Sequence, residues 1–411
     1  MKFKLARTAM KNINRNIRRS ILSAVAIGVA SMSIVMLFSL IGGMKADMAY
    51  NLQTYYTGEV RVRNARYEEF ERYNPLHLTV DWESVRQVLS GNDQIEHFVP
   101  RTTFPSSIYI EGTNFGAVGV GADFEMEKDF QDLDSILQTG RLPQTGKNEM
   151  LMGAVLAGDL DLEIGDKVTV LATTAARGSN AITLEIVGLA GFPVGNLNSK
   201  FYWVPHDIVQ YFLRMNGGVQ DVLIDLKEEV DAAAAAEEIE QALAEATGTD
   251  YEVRAWTDIT TTYGFMEIAQ MIYNIIAGFF FLLGSTVIIN TTMMVIFERM
   301  REIGTLSAMG MHGKELTRMF FLEGAFISAA GSAVGVGIGI ALTLYLGNVG
   351  IDFTDAMSGM DFEVSSVMYP KLSLFSTVFV YFYSIAISSL ATLIPSRKAA
   401  KIEPVEALRY I

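Results

Sequence analysis

Several stretches of this 411-residue chain carry side chains suited to chemistry, and each fails at a definable point. The run G-R-L-P-Q-T-G-K-N from Gly140 has the glycines and the lysine of a phosphate-cradling loop. It has five residues between the glycines where the nucleotide template has four, and Asn148 stands where a Ser or Thr must meet magnesium. The run D-L-D-L-E-I-G-D from Asp159 alternates acids like a calcium loop. Ile164 fills its glycine position and Val170 its terminal carboxylate, so it reads as a turn before a strand. His77, His97, His206 and His312 are scattered without ligand spacing, which leaves no metal site. With no cysteine, disulfides, thiolate sites and cysteine nucleophiles are excluded, although no compartment is thereby assigned. The many acids read as a solvated surface rather than as paired catalytic carboxylates. No catalytic residue is identified, and the chain is not expected to be an enzyme.

What remains is a charged stretch, Glu298 to Arg318, reading E-R-M-R-E-I-G-T-L-S-A-M-G-M-H-G-K-E-L-T-R. Arg299, Arg301, Lys314 and Arg318 interleave with Glu298, Glu302 and Glu315, while Ile303, Leu306 and Met309 recur at i, i+3 and i+6. That spacing predicts a short amphipathic helix, broken by Gly310 and Gly313, offering an apolar ridge to a partner. Residues 271–297 enter this stretch and residues 319–346 leave it, each long enough to cross a bilayer as a helix. The segment must therefore project on one side of a membrane.

The elements that position it follow from charge and hydropathy. Residues 1–20 carry seven Lys or Arg and no acid, whereas residues 44–264 carry 16 basic and 35 acidic side chains. The positive-inside bias places the basic arm in the cytoplasm and the acidic stretch, too long for a loop, on the other face as a folded domain. Residues 1–20 form a basic amphipathic helix in the membrane interface or simply a positive flank; both give one orientation. Residues 21–43 are the first span, longer than the apolar core of a secretory signal. Met32, Met36, Leu40, Met44 and Met48 make a stripe along it, either for helix packing or for acyl chains, since methionine is flexible and polarizable. The helix continues as a stalk to about Tyr56 and is mirrored by the return from Trp256 to Asn274.

Within 44–264, strands are expected at Glu59 to Arg66, at Ile95 to Asp123 with breaks at Pro100 and Pro105, at Lys167 to Ala172 and at Ala181 to Ala190. Gln220 to Leu226, Asp231 to Thr247 and Tyr251 to Ala255 read as strand, helix and strand, giving an α+β domain. In the span over 319–346, Gly331, Gly335 and Gly339 lie four apart, a small-residue face for a tight helix contact within the subunit or across a dimer. Glu323, one turn inside this span, either snorkels or pairs with an arginine of the charged segment. Residues 347–371 form a shorter outer loop, residues 372–394 the fourth span ended by Pro395, and residues 395–411 a cytoplasmic tail. The whole is a membrane protein of four transmembrane helices with a large extracytoplasmic α+β domain between helices 1 and 2. Nothing in it resembles a nucleic-acid surface.

Four motifs carry a family resemblance: E-R-M-R-E-I-G-T-L-S-A-M-G at Glu298 to Gly310, P-S-R-K-A-A-K-I-E-P-V-E-A-L-R-Y at Pro395 to Tyr410, N-E-M-L-M-G at Asn148 to Gly153 and I-G-D-K-V at Ile164 to Val168. In these the chain resembles the MacB/FtsX-like ABC transporter permeases, and in layout it is similar to the lipoprotein-releasing permeases of the LolC/LolE type. The resemblance implies a permease of the bacterial inner membrane with a periplasmic domain. It implies a dimer with a second copy or a paralogue, and a separate ATP-binding subunit that uses ATP and Mg while this chain binds no cofactor. Glu298, Arg299, Glu302, Ile303, Gly304, Leu306, Ala308 and Gly310 match the family's ATPase-coupling segment. Release of lipoproteins would follow, with acyl chains held by the first two spans at Met32, Met36 and Leu40, and with a periplasmic chaperone or adaptor as a further partner. The alternatives are a MacB-type exporter of peptides, drugs or toxins, which is often fused to its ATPase, and FtsX-like signalling to cell-wall hydrolases.

Overall fold

The computed structural model describes residues 2–15, 17–259, 261–298, 300–353 and 365–400. Arg299, the side chain of Leu306 and the tail motif beyond Ala400 lie outside the described residues. The chain divides into a helical unit, Met1–Lys45 with Phe265–Ile351 and Met368–Ile411, and a second unit, Ala46–Gly264 with Asp352–Val367. The principal helices are α1 (Lys2–Arg15), α2 (Ile17–Asn51), α3 (Phe124–Gln131), α4 (Ala232–Thr247), α5 (Thr261–Glu298), α6 (Met300–Ala308), α7 (Gly313–Val349) and α8 (Leu374–Ala399).

In the helical unit, three helices among the described residues are long and apolar enough to cross a membrane: the stretch Ile17–Thr57 that begins with α2, then α7 and α8. The described apolar part of α5 is shorter, Met271–Phe280, so three of the four expected crossings are seen by length and composition. The sequence reading ended the last span at Pro395; α8 instead runs through that proline to Ala399. A proline removes one intrahelical donor, here the one that would reach Ala391 O, and α8 continues past that single missing bond. Gly43 does not end α2 either. A Cβ at that position would lie 3.0 Å from Pro370 Cα, so glycine there lets the chain before α8 lie against the helix, where Lys371 N donates to Ser39 O at 2.9 Å.

The second unit is built on a ten-stranded mixed sheet. Its strands are β1 (Val60–Asn64), β2 (Ile95–Ile110), β3 (Thr113–Ala122), β4 (Leu137–Gly140), β5 (Glu149–Gly153), β6 (Lys167–Thr173), β7 (Ser179–Ala190), β8 (Phe201–Pro205), β9 (Asp221–Leu226) and β10 (Tyr251–Ala255). They lie in the order β10-β1-β9-β2-β3-β8-β5-β7-β4, with β6 bridging β2 and β7. The β3–β8 and β5–β7 pairs are parallel and the others antiparallel. Pro100 and Pro105, read as strand breaks, lie inside the continuous β2. Pro105 falls where that strand changes neighbours, between its pairing with β9 over Ile95 to Arg101 and with β6 over Ser106 to Tyr109. A residue without an N–H fits a gap between two ladders. One core packs Phe104, Tyr202 and Phe212 beside Met150 and Met152, and a second packs α4 onto β1, β9 and β10 through Ile239 and Leu243. The acid run at Asp159 forms the turn into β6, with Asp166 accepting from Glu163 N at 2.8 Å.

A buried ion pair fixes the beginning of this unit. After Asn51 the helix widens into a π-helical turn, Leu52–Thr57, before β1. Such a turn leaves carbonyls without the usual helical partners. Arg101 of β2, 4% exposed, donates Nη1 to Tyr55 O at 2.7 Å and Nη2 to Thr54 O at 3.1 Å. Its other donors bind both oxygens of the fully buried Glu127 of α3, at 2.6 and 2.7 Å. Gln131 Nε2 donates to the same carboxylate at 2.6 Å. On the other side of the turn, Ser365 donates its backbone N–H and its hydroxyl to Asp47 at 2.8 and 2.7 Å, tying the segment between α7 and α8 to α2.

Candidate coupling site and its anchors

The charged segment folds as the end of α5, the helix α6 and the start of α7. Gly310, at φ +97°, takes the left-handed conformation that closes α6, as the sequence predicts. His312 and Glu315 then form a capping box at the start of α7, with His312 N donating to Glu315 Oε2 at 3.2 Å.

Ile303 does not belong to an outward ridge. Ile303 is 4% exposed and packs with Met300, Leu316, Met319, Phe320 and Ala399, and Gly304 is buried too. A helix of nine residues joining two long ones must use its apolar side to seat on them. The face left in solvent is Arg301, Glu302, Thr305, Ala308 and Met309, the last 71% exposed. That surface is mixed, polar with one large apolar tip.

Two of the three acids of the segment are matched by bases that the sequence reading assigned only to membrane orientation. Glu298 pairs with Arg19 of α2, and Glu302 with Arg15 of α1. Arg15 and Arg19 are four apart, as are Glu298 and Glu302. The same helical interval on both partners is the signal that would have found the pairing. The N-terminal helix α1 and the start of α2 are thus each fastened to the segment by one solvent-accessible ion pair, worth about 1 kcal/mol or less.

Glu323 of α7 does not snorkel outward. It is buried, facing a cavity of about 40 Å³ with Arg19, Ser23, Thr292 and Ser328 around it.

The glycine face of α7 is used inside the chain, against α2. A Cβ on Gly331 would lie 2.9 Å from Ala24 C, one on Gly335 2.6 Å from Gly28 C, and one on Gly339 3.1 Å from the Val35 side chain. Gly28 completes the contact from the other side, its own Cβ position being 3.0 Å from Gly331 O. Beside this contact the hydroxyls of Ser31, Ser332 and Ser384 form a buried chain linking α2, α7 and α8, at 3.3 and 2.6 Å. Of the proposed acyl contacts, Met32 lines an apolar groove between α2 and α7, whereas Met36 and Leu40 are half-buried on the same helix.

In the second unit, the loop that mimics a phosphate cradle is filled by the chain's own carboxylates. Arg141 holds both oxygens of the buried Glu149 at 2.7 and 2.6 Å, and Gln144 N donates to Glu149 at 2.9 Å. Gly146 N donates to Asp207 at 2.8 Å. The Arg141 hydrogen bonds are the main cause holding the Glu149 carboxyl far below its ordinary range, at about 2. The anion this loop was shaped to hold is internal.

Two family models match the sequence: an FtsX-like permease C-terminal model over residues 274–404, and a MacB-like periplasmic core domain model over residues 20–242. The lipoprotein-releasing system transmembrane protein LolC of Neisseria meningitidis serogroup B is 25% identical over 276 residues, 64% of this chain and 66% of that protein. The macrolide export ATP-binding/permease protein MacB of Chlorobium luteolum is 23% identical over 424 residues, 98% of this chain and 59% of that protein. The chain therefore spans about two thirds or less of the length of these relatives. The crystal structure of the periplasmic region of MacB from Actinobacillus actinomycetemcomitans is similar at a TM-score of 0.37 and 15% identity, over 50% of this chain and 92% of that one.

Proposed function

Because the chain belongs to the FtsX-like permeases that carry a MacB-like periplasmic core, we propose that it transmits the work of a separate ATP-binding subunit across the bacterial cytoplasmic membrane to its outer domain. In this reading α5 is the fourth crossing, both termini and α6 face the cytoplasm, and the sheet-built unit faces outward. The positive-inside bias of α1 and the start of α2, with Arg7, Lys11, Arg15, Arg18 and Arg19, supports that orientation. ATP and Mg are used by the partner; this chain supplies the surface that receives it.

The observation that carries the reading is the pairing of Glu298 and Glu302 with Arg19 and Arg15. A push on the exposed face of α6 reaches α1 and α2 without passing through lipid. Arg301, Thr305, Ala308 and Met309 are the contact residues, while Ile303 and Gly304 seat the helix from beneath. The substrate we favour is a lipoprotein released from the outer leaflet, in keeping with the relatives named for that activity. Export in the manner of MacB, with an adaptor, is the second reading, favoured by an alignment that covers 98% of this chain.

The test is stimulation of a co-purified ATP-binding subunit by the permease in nanodiscs. Reversing Glu298 and Glu302 together to Arg should leave membrane insertion intact, because exposed pairs carry little stability, and should lower stimulation several-fold. Restoring the pairs with Arg15→Glu and Arg19→Glu should recover it. Unchanged stimulation in the double reversal would overturn the coupling role.

A further inference from the structure

The groove between α2 and α7 has a volume of about 290 Å³ and is lined almost entirely by carbon. Its walls are Ile21, Val25 and Val29 on one helix and Val334 and Ile338 on the other, all between 47% and 63% exposed. The floor is the glycine contact itself, Gly28 with Gly331 and Gly335. Because no side chain fills those three positions, the two helices touch at backbone level and leave a trough above them. From Ile21 to Met32 the trough runs 11 residues along α2, roughly 16 Å at 1.5 Å per residue. That is about half the ~30 Å hydrocarbon thickness, the reach of one leaflet's acyl chain.

The end of the trough at Ile21 is marked by charge. Arg18 lies three residues before Ile21 and seven before Val25, on the same face of α2 and one turn beneath the groove. It is exposed and has no acidic partner among the described residues, whereas Arg15 and Arg19 on either side are both paired. Arg7 and Lys11, one turn apart on α1, are exposed as well. An apolar slot one leaflet deep, headed by an uncommitted guanidinium, has the chemistry of a site for a single anionic amphiphile.

We propose that this groove is a specific binding site for an anionic phospholipid of the cytoplasmic leaflet, one acyl chain lying over Gly28, Gly331 and Gly335 and the phosphate held by Arg18. The site is separate from the charged face of α6 and from any cargo in the outer leaflet. It rests on the membrane orientation given above, which the ATPase-stimulation assay tests independently of lipid retention.

The experiment is native mass spectrometry of the detergent-extracted protein after reconstitution in vesicles of phosphatidylcholine and phosphatidylglycerol in equal amounts. The wild type should retain one phosphatidylglycerol per chain in preference to phosphatidylcholine. Arg18→Ala should lower that preference roughly fivefold, the ~1 kcal/mol of one basic residue near an anionic surface, while still retaining lipid. Val334→Trp fills the groove from an open wall without touching the glycine floor, and should abolish retention of both lipids with an unchanged thermal midpoint. Equal retention of the two lipids by the wild type, or undiminished retention by Val334→Trp, would overturn the site. The chain has no cysteine, so Val25→Cys gives a clean test of the other occupant. A disulfide-linked pair of chains formed in the membrane would show that a second copy fills the groove, and would overturn the lipid assignment.

Discussion

Replacing Arg101 by Met should uncouple the π-helical turn from the sheet, and the geometry sets the size of the effect. The arginine is buried with a carboxylate that has no solvent contact, and it is the donor to the Thr54 and Tyr55 carbonyls. Methionine keeps the length of the side chain and loses four hydrogen bonds. Glu127 is then left with Gln131 as its donor. Breaking a buried ion pair by removing one partner costs about 3–5 kcal/mol. The two carbonyls belong to the same network, so their cost is not simply added. With a denaturant slope of roughly 2 kcal/mol per molar urea, the midpoint should fall by about 2 M. The full-length protein allows this to be read selectively, because its three tryptophans, Trp82, Trp203 and Trp256, all lie in the sheet-built unit. Urea unfolding in detergent, followed by tryptophan emission, therefore reports that unit. Combining Arg101→Met with Glu127→Leu should recover most of the loss, since apolar replacement of a buried pair is neutral or stabilising. A midpoint shift below ~0.5 M for the single variant, or a double variant no better than the single, would refute the argument.

Two further outcomes are expected. Gly335→Ala places a methyl 2.6 Å from the Gly28 carbonyl carbon, whereas Gly337→Ala places one in open space. Circular-dichroism melting in detergent should show a lower Tm for the first, and an unchanged or higher one for the second, where alanine gains about 0.5–1 kcal/mol of helix propensity. Glu149, held at about 2 rather than the ordinary 4.5, is ionised in the folded state at pH values where the unfolded chain would already bind a proton. Its contribution is complete above pH 4.5 and is lost as pH falls towards 2. Tryptophan-monitored urea midpoints at pH 6 and pH 3 should therefore lie closer together in Glu149→Gln than in the wild type.

Much of the architecture was readable because it follows from periodicity and charge. The long apolar helices, the acidic inserted domain and the strand–helix–strand ending at Ala255 needed only local patterns. The left-handed Gly310 and the end of α6 were readable for the same reason. The sequence did not show which way Ile303 would face, because a nine-residue helix with apolar residues at i and i+3 can present them to solvent or to its neighbours. Only the packing of α5, α7 and α8 decides. Pro395 and Pro105 were read as breaks; α8 runs through the first with one helical bond missing, and the second is tolerated because its strand changes neighbours there, which no local pattern shows. The partners of Gly331 and Gly335 were likewise out of reach, since Gly28 belongs to no four-residue glycine repeat in its span and nothing local assigns it to α7. Arg101, a single arginine in a long strand, carried no sign that it would bind the carbonyls of a turn some 46 residues earlier.

The backbone contact between α2 and α7 has a consequence for assembly. A small-residue face can bring two helices together only once, and this one is consumed within a single polypeptide. Any companion permease must then be received elsewhere in the bilayer. Among the described residues, α5 turns Met271, Ile275, Phe279 and Leu283 outward at four-residue intervals. Recognition along that strip would depend on how bulky side chains mesh, so partner choice would be written in contour and volume, where a change of one methylene could separate self from paralogue.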